Sequence, residues 1–422
     1  MSNEFNKEEK VAFDQIIEGF SDSLVLSRNV SKYETDQVMM ERTGDIIWRP
    51  QPYIAQSFSG TDMTANFYEN TQLSVPASIN NSQCVPWILS ATELRDELQS
   101  GRLVDAAKQR LASDIDSAVR TVASLYGSIV VKRTVAATGY DDISLCDTAF
   151  NEQGIPDFDR YFALGPRDYN AMAGNLASRY TMTGKPTTAY EKAYLGQVAN
   201  FETYKMGIAK RLAAAAGGAG ITMDTRDAAV NYYVPAATST AATGEKSNVD
   251  NRFQTITVST TANVAAGDAF VVADMNAVHH ITKEDTGSQK TFRVVSVPDG
   301  THLVITPPMV TDQVSTAATA QYQNCVINTK AANSAITFRN TVAAPVNCFW
   351  QKDAIELLPG RYAVPSDAGA SVLRATTENG LEVIMSKQVD INTLKTKLRV
   401  DTRYGVCMKQ PEMAGIILFS QT

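Results

Sequence analysis

Three histidines, His279, His280 and His302, are the first residues to test for chemistry. His279 and His280 are adjacent, so on a strand they point to opposite faces and cannot share one metal ion. His302 has no sequence-near partner at a metal-ligand spacing, and a surface or barrel-wall position is its expected place. Around it, TFRVVSVPDGTHLVITPP (291–308) reads as two β-strands about a tight turn, with Gly300 free to take positive φ. The acids Asp141-Asp142 and Asp157 with Asp159 could do acid–base work if a cleft joined them. They fall in stretches that read as loops, where solvated charge is the expectation. The five cysteines, Cys84, Cys146, Cys325, Cys348 and Cys407, are widely spaced and form no CxxC pair. They read as free, buried thiols in a reducing compartment. No GxSxG, HExxH or GxxxxGK followed by Ser or Thr occurs. AAAAGGAG (213–220) lacks the lysine of a phosphate loop and reads as a linker. No catalytic residue, metal ligand or cofactor site is therefore expected, and the enzyme class is disfavoured.

The elements that would position any site come next. A chain of 422 residues predicts two to four domains and an ample core. The formal charge of -7 disfavours wrapping nucleic acid, which asks for clustered Lys and Arg. No apolar run is long enough to span a bilayer. The opening MSNEFNKEEKVAF lacks the pattern of a signal peptide, so the expectation is a protein made and kept in a cytoplasm. Residues 1–32 read as an arm with Val11, Ile16, Phe20 and Leu24 on one helical stripe. TGDIIWRPQP (43–52) reads as a strand. Residues 53–79 read as a long exposed hairpin or loop that turns at Ser59–Asp62, a length uncommon without a task.

Ser90 to Glu93 forms a capping box, and Leu103, Ala107, Leu111, Ile115, Val119 and Val122 then predict a long amphipathic helix near 103–126. Lys108, Asp114, Asp116 and Arg120 lie on its opposite face. Tyr161–Leu164 predicts a short strand, and Pro166 opens a helix through Met172 and Leu176. Thr188 to Glu191 is a second capping box. Residues 201–216 fit either period: Phe201, Tyr204, Ile208 and Leu212 are helically spaced, yet Phe201–Met206 alternates. From about 222 to 345 the texture changes to short Thr- and Val-rich runs with frequent turns, which predicts a small antiparallel barrel or sandwich. One β-domain is thus inserted into a host whose halves flank it.

SNVDNRFQTITVSTT (247–261), AGDAFVV (266–272) and TFRVVSVPDGTHLVITP (291–307) resemble matching strands of P22-type coat proteins of short-tailed phages. TGDIIWRP (43–50), ELRDE (93–97) and NCFWQKDAIELL (347–358) resemble the same family in the same order. YFALGPRDYN (161–170) is similar to a strand–loop–helix of tailed-phage capsid proteins. The resemblance implies an α+β protein with the HK97-like capsid fold. It implies an N-terminal arm (1–32), an extended loop (53–79) and a peripheral domain with the spine helix (80–135 and 386–422). It also implies an axial domain (136–221 and 346–385), an inserted β-barrel (222–345) and a strand at 201–207.

The implied function is that of a major capsid protein building an icosahedral shell around double-stranded DNA, without catalysis. The implied partners are copies of itself in hexameric and pentameric capsomers, a scaffolding protein, a portal protein and the enclosed DNA, with no membrane. The implied location is the virion, after assembly in the host bacterial cytoplasm. In the insert, STAATGEKSNVD (239–250) corresponds to a loop that joins capsomers by charge pairs, which makes Glu245, Lys246 and Asp250 the candidate contacts. HHITKEDTGSQK (279–290) reads as a second polar loop. The arm stripe is expected to dock on the inner side of the shell or on scaffold. The alternative class is a β-rich binding or adhesion protein, which a signal peptide or a disulfide framework would favour.

Overall fold

The computed structural model describes residues 7–17, 20, 24–33, 46–52, 54–64, 67–90, 97–178, 192, 195–207, 209–215, 220–226, 231–362, 371–377 and 379–422. The capping boxes at Ser90–Glu93 and Thr188–Glu191 reach outside these residues, as do Ile208 and the GGAG of the linker. The chain divides into two compact units, one of Met1–Ile47, Ala77–Arg120 and Ile355–Cys407, the other of Trp48–Pro76, Thr121–Ala354 and Met408–Thr422.

The first unit is organised on a six-stranded sheet. Strand Lys395–Met408 lies centrally, paired antiparallel with Glu382–Asp390 and with Asn81–Leu89, while Ile355–Pro359 carries the short parallel strand Ser31–Lys32. Helix α1 spans Lys7–Ile17 and helix α2 spans Glu97–Tyr126. Ala107, Leu111, Ile115 and Val119 of α2 are buried, as their spacing predicts, while Leu103 is half-buried. The helix begins before Gly101, earlier than the expected 103. One glycine costs a helix only about 1 kcal/mol against alanine, and the good helix formers around it, Glu97, Leu98 and Gln99, tolerate that.

The arm corrects an expectation. Ile16, Phe20 and Leu24 are buried within this unit, and Phe13 joins them, whereas Val11 is 50% exposed. The offset between positions 11 and 13 is about half a helical turn, enough to move Val11 off the covered stripe. The polar face of α2 helps to hold the arm. The Asp116 carboxylate accepts hydrogen bonds from the amides of Val25 (2.9 Å), Leu26 (3.2 Å) and Ser27 (3.0 Å) and from the Ser27 hydroxyl (2.8 Å). Lys387 Nζ lies 2.7 Å from Glu9 Oε1 with both side chains largely buried.

The second unit holds two larger sheets. One runs in the order Ile129–Lys132, Ala414–Leu418, Asn347–Gln351, Arg160–Leu164, Phe201–Lys205, Gln197–Val198. Helix α3, Tyr140–Glu152, and helix α4, Pro166–Ala177, supply Phe150 and Met172 to its core. Phe150, Phe162, Phe201 and Phe349 meet there at centroid distances of 5.1–6.0 Å. A Cβ at Gly415 would sit 2.4 Å from the Phe349 ring and 2.6 Å from the Ile129 carbonyl, so the close approach of three strands requires glycine. Residues 201–205 form a strand, with Phe201 and Thr203 inward and Glu202 outward, because they pair in parallel with Arg160–Leu164. The period-2 reading wins because a partner strand is present to satisfy it.

The other sheet is the insert, in the order Thr222–Met223, Ser334–Phe338, Ala269–Val278, Asp285–Ser296, His302–Thr306, Gln254–Thr257, with Cys325–Ile327 also on Ala269–Val278. The Ser259 amide donates to the Thr222 carbonyl at 2.9 Å, drawing the two ends of the sheet together into a partly closed barrel. Its entry and exit legs pair as a short stem, Arg211–Leu212 with Ala344–Pro345. A six-residue helix α5, Ala317–Tyr322, lies between two of its strands.

Three further readings change. The stretch 279–290 is not one loop: it turns at 279–284, and from Asp285 it is strand. Gly300 does not adopt positive φ; the Asp299 carboxylate makes the turn by accepting from the amides of Thr301 and His302, each at 2.8 Å. The division at 385/386 does not follow strand pairing. Ile355–Pro359 and Ser371–Thr376 share the first unit's sheet with 382–408, while Ala414–Leu418 returns to the second unit between Ile129–Lys132 and Asn347–Gln351.

Candidate functional site

The residues nominated for chemistry have structural partners instead. The His279 ring Nδ1 accepts from the amides of Ile281 (3.3 Å) and Thr282 (3.2 Å), which shapes the 279–284 turn. His302 pairs with Asp299, Nδ1 to Oδ2 at 2.8 Å, on the exposed end of its hairpin. Asp142 is buried and accepts from the amides of Thr138 (2.6 Å) and Gly139 (3.1 Å), with Arg133 Nε in ion-pair contact at 2.7 Å. Asp141, Asp157 and Asp159 are exposed, so neither acid pair forms a cleft. All five cysteines are free; four are buried, and Cys84 is exposed, against expectation. Among the described residues no group of three or more His, Cys, Asp or Glu side chains converges as a metal site.

His280 takes part in a buried charge cluster between the insert and the segment before the last strand. Lys290, 2% exposed, donates Nζ to Glu412 Oε1 at 2.5 Å, and His280 Nδ1 lies 3.8 Å from Glu412 Oε2. Burial pushes the His280 imidazole down to about 4 against the pull of Glu412, so it is neutral near pH 7. Burial alone would raise Glu412; Lys290, His280 and Lys283 overcome it and hold that carboxyl at about 2. Arg293, two strand positions beyond Thr291, is likewise buried. Its guanidinium donates to the carbonyls of Ser124 (2.8 Å), Gly127 (3.4 Å) and Gly267 (2.9 Å), capping the C-terminal end of α2 from the insert. Sequence reading missed these roles. The available signal was a Lys and an Arg set inside an apolar strand, at 290 and 293.

The outward-facing features differ in kind. Residues 239–250 include a small hairpin, Thr238–Thr240 with Lys246–Asn248, on which Glu245 and Lys246 are exposed. Asp250 is paired within the chain: Arg252 Nη2 lies 2.7 Å from Asp250 Oδ2, and the Arg252 guanidinium stacks 5.0 Å from the Phe253 centroid. The stretch 54–73 carries no strand among its described residues. Its tip exposes Phe58 by 44% and Phe67 by 88%. The outward-facing features described are thus one hairpin with exposed Glu245 and Lys246 and the exposed aromatics Phe58 and Phe67.

A family model described as "P22 coat protein - gene protein 5" matches residues 1–420. The chain belongs to the P22 coat protein family. As a P22-type coat protein it is a phage major capsid protein, a subunit of an icosahedral shell. Among solved structures, it is similar to the capsid of cyanophage P-SCSP1u, at 12% identity over 93% of this chain and 86% of that one, with a TM-score of 0.43. It is similar to a chain of Mycobacterium phage Che8, at 8% identity over 94% and 92% of the two chains, with a TM-score of 0.44. The CUS-3 coat protein I-domain is similar to part of it, at 34% identity over 29% of this chain and 96% of that domain, with a TM-score of 0.20. Lys290 and Arg293 thus tie the sheet of 222–338 to Glu412 and to the carbonyls of Ser124 and Gly127.

Proposed function

We propose that the protein is the self-assembling shell subunit of a short-tailed phage, joined in hexameric and pentameric capsomers around packaged double-stranded DNA, and that its role is structural, without catalysis. The family match over residues 1–420 carries this reading. Assembly proceeds with a scaffolding protein and a portal in the host bacterial cytoplasm, and the shell then encloses the DNA without reading its sequence. An acidic subunit, -7 by composition, suits a container that must not adhere to its contents. In this reading the first unit is the peripheral domain and the phenylalanine-centred sheet of the second is the axial domain. Residues 222–345 are the inserted barrel. The loop at 53–79 meets a neighbouring subunit, and Glu245 and Lys246 meet a neighbouring capsomer. Val11 is the member of the arm stripe left available to a partner.

Negative-stain electron microscopy of the full chain co-expressed with its scaffolding partner tests the proposal. Closed shells of uniform diameter are expected. A discrete small oligomer under every condition, including purified mixtures with scaffold, would overturn it.

A further inference from the structure

Both backbone polar groups of Thr71 are taken by side chains of α5. The Thr71 amide donates to Gln321 Oε1 at 3.2 Å, and the Thr71 carbonyl accepts from the Tyr322 hydroxyl at 2.7 Å. The clamp joins residues 250 positions apart, and Gln321 is fully buried where it grips. The other leg of the loop meets the same helix, with Gln56 Nε2 at 3.5 Å from the Ala317 carbonyl. Below the clamp the legs meet each other, the Gln51 amide donating to the Leu73 carbonyl at 2.9 Å. Beyond it the loop is braced: the Gln56 amide donates to the Tyr68 hydroxyl at 3.0 Å, and Tyr68 packs edge-on to Phe58 at 5.8 Å. Phe67, beside Tyr68, points into solvent.

We infer that the insert serves as the platform for the extended loop of its own subunit, and that Gln321 and Tyr322 are positioning residues for assembly. The partner that meets the pre-set tip is a second copy of this chain; in this the inference rests on the proposed role of the loop. A loop with no strand among its described residues at 54–73 loses its conformational freedom when it is captured by a neighbour. Fixing Thr71 in the free subunit moves that cost into folding and leaves the tip pre-organised. The insert and the loop are thereby coupled, so a change in α5 is felt at a contact it does not touch.

Hydrogen exchange of the full-length monomer, with Tyr322→Phe, Gln321→Met and the double variant, tests this. Exchange across Phe67–Leu73 is expected to quicken about five-fold per lost bond, while the strands Ala269–Val278 and Asp285–Ser296 stay as protected as before. Assembly of purified subunits with scaffolding protein should slow by a comparable factor. Unchanged exchange in the double variant, or exchange that rises throughout the insert, overturns the clamp. Deletion of residues 57–68 separates the two readings. If the deletion variant assembles normally, the loop is no intersubunit contact. If deletion blocks assembly while the double variant assembles at the native rate despite fast exchange, the positioning role fails and the contact role stands.

Discussion

His280 lies among Glu412, Lys290, Lys283 and its neighbour His279, and burial keeps it neutral down to about pH 4. An unfolded histidine takes its proton near 6.5, so between those values the unfolded chain binds a proton that the fold excludes. Stability therefore falls as pH falls through that window, with a slope approaching about 1.4 kcal/mol per pH unit from this residue. Glu412 adds a second loss at lower pH: its carboxylate contribution is full above 4.5 and disappears as pH falls toward 2. Thermal melting of the native chain and of His280→Gln at pH 7 and 4.5 checks the first step. The variant is expected to show a smaller drop; an equal drop would place the acid sensitivity elsewhere. The sequence set Asp299 three positions before His302 but showed no partner for His280, since Glu412 stands 132 positions beyond it and only folding brings them together.

Among elements, the arm shows where periodicity suffices and where it does not. Spacing pointed to an apolar stripe, and Ile16, Phe20 and Leu24 are buried, although helix α1 ends at Ile17 and Leu24 is not helical. Periodicity says that a face is apolar and leaves open what covers it. Here the cover is the chain's own first unit, with Asp116 fixing the turn at Val25–Ser27. Ile16→Ala should accordingly destabilise the isolated subunit by about 2–4 kcal/mol, read by urea unfolding of the monomer. An unchanged midpoint would mean that Ile16 acts only on a partner. The strand at Phe201–Lys205 teaches the converse. Its residues fit two periods, and the parallel partner at Arg160–Leu164 decided between them. Helix α2 was legible in its face and its end, though not in its start, because its four central apolar positions repeat without interruption.

For the whole molecule, weak exposed contacts matter because a shell repeats them. A surface ion pair is worth only about 0–1 kcal/mol, yet many copies of it act together in a closed assembly. Glu245→Ala with Lys246→Ala is expected to lower particle yield at physiological salt while the melting temperature of the monomer stays unchanged. Normal yield would remove this hairpin from the intercapsomer contacts. Asp250→Ala is the contrasting variant, since that carboxylate already pairs with Arg252 of its own chain and its loss is expected to lower the melting temperature of the monomer as well. By itself the sequence determined the α+β class, the long helix, the strand-rich texture that begins after the 213–220 linker and the P22-type kinship. Each of these rests on local period, turn chemistry or contiguous motif, which neighbours in the chain specify. Tertiary structure alone decided which strands share a sheet after residue 346, what covers the arm, and which residues grip Thr71, Glu412 and the end of α2. Those pairings join positions tens to hundreds of residues apart. They are selected by burial and by the demand that buried amides, carbonyls and charges find partners, a constraint that no local window of sequence contains.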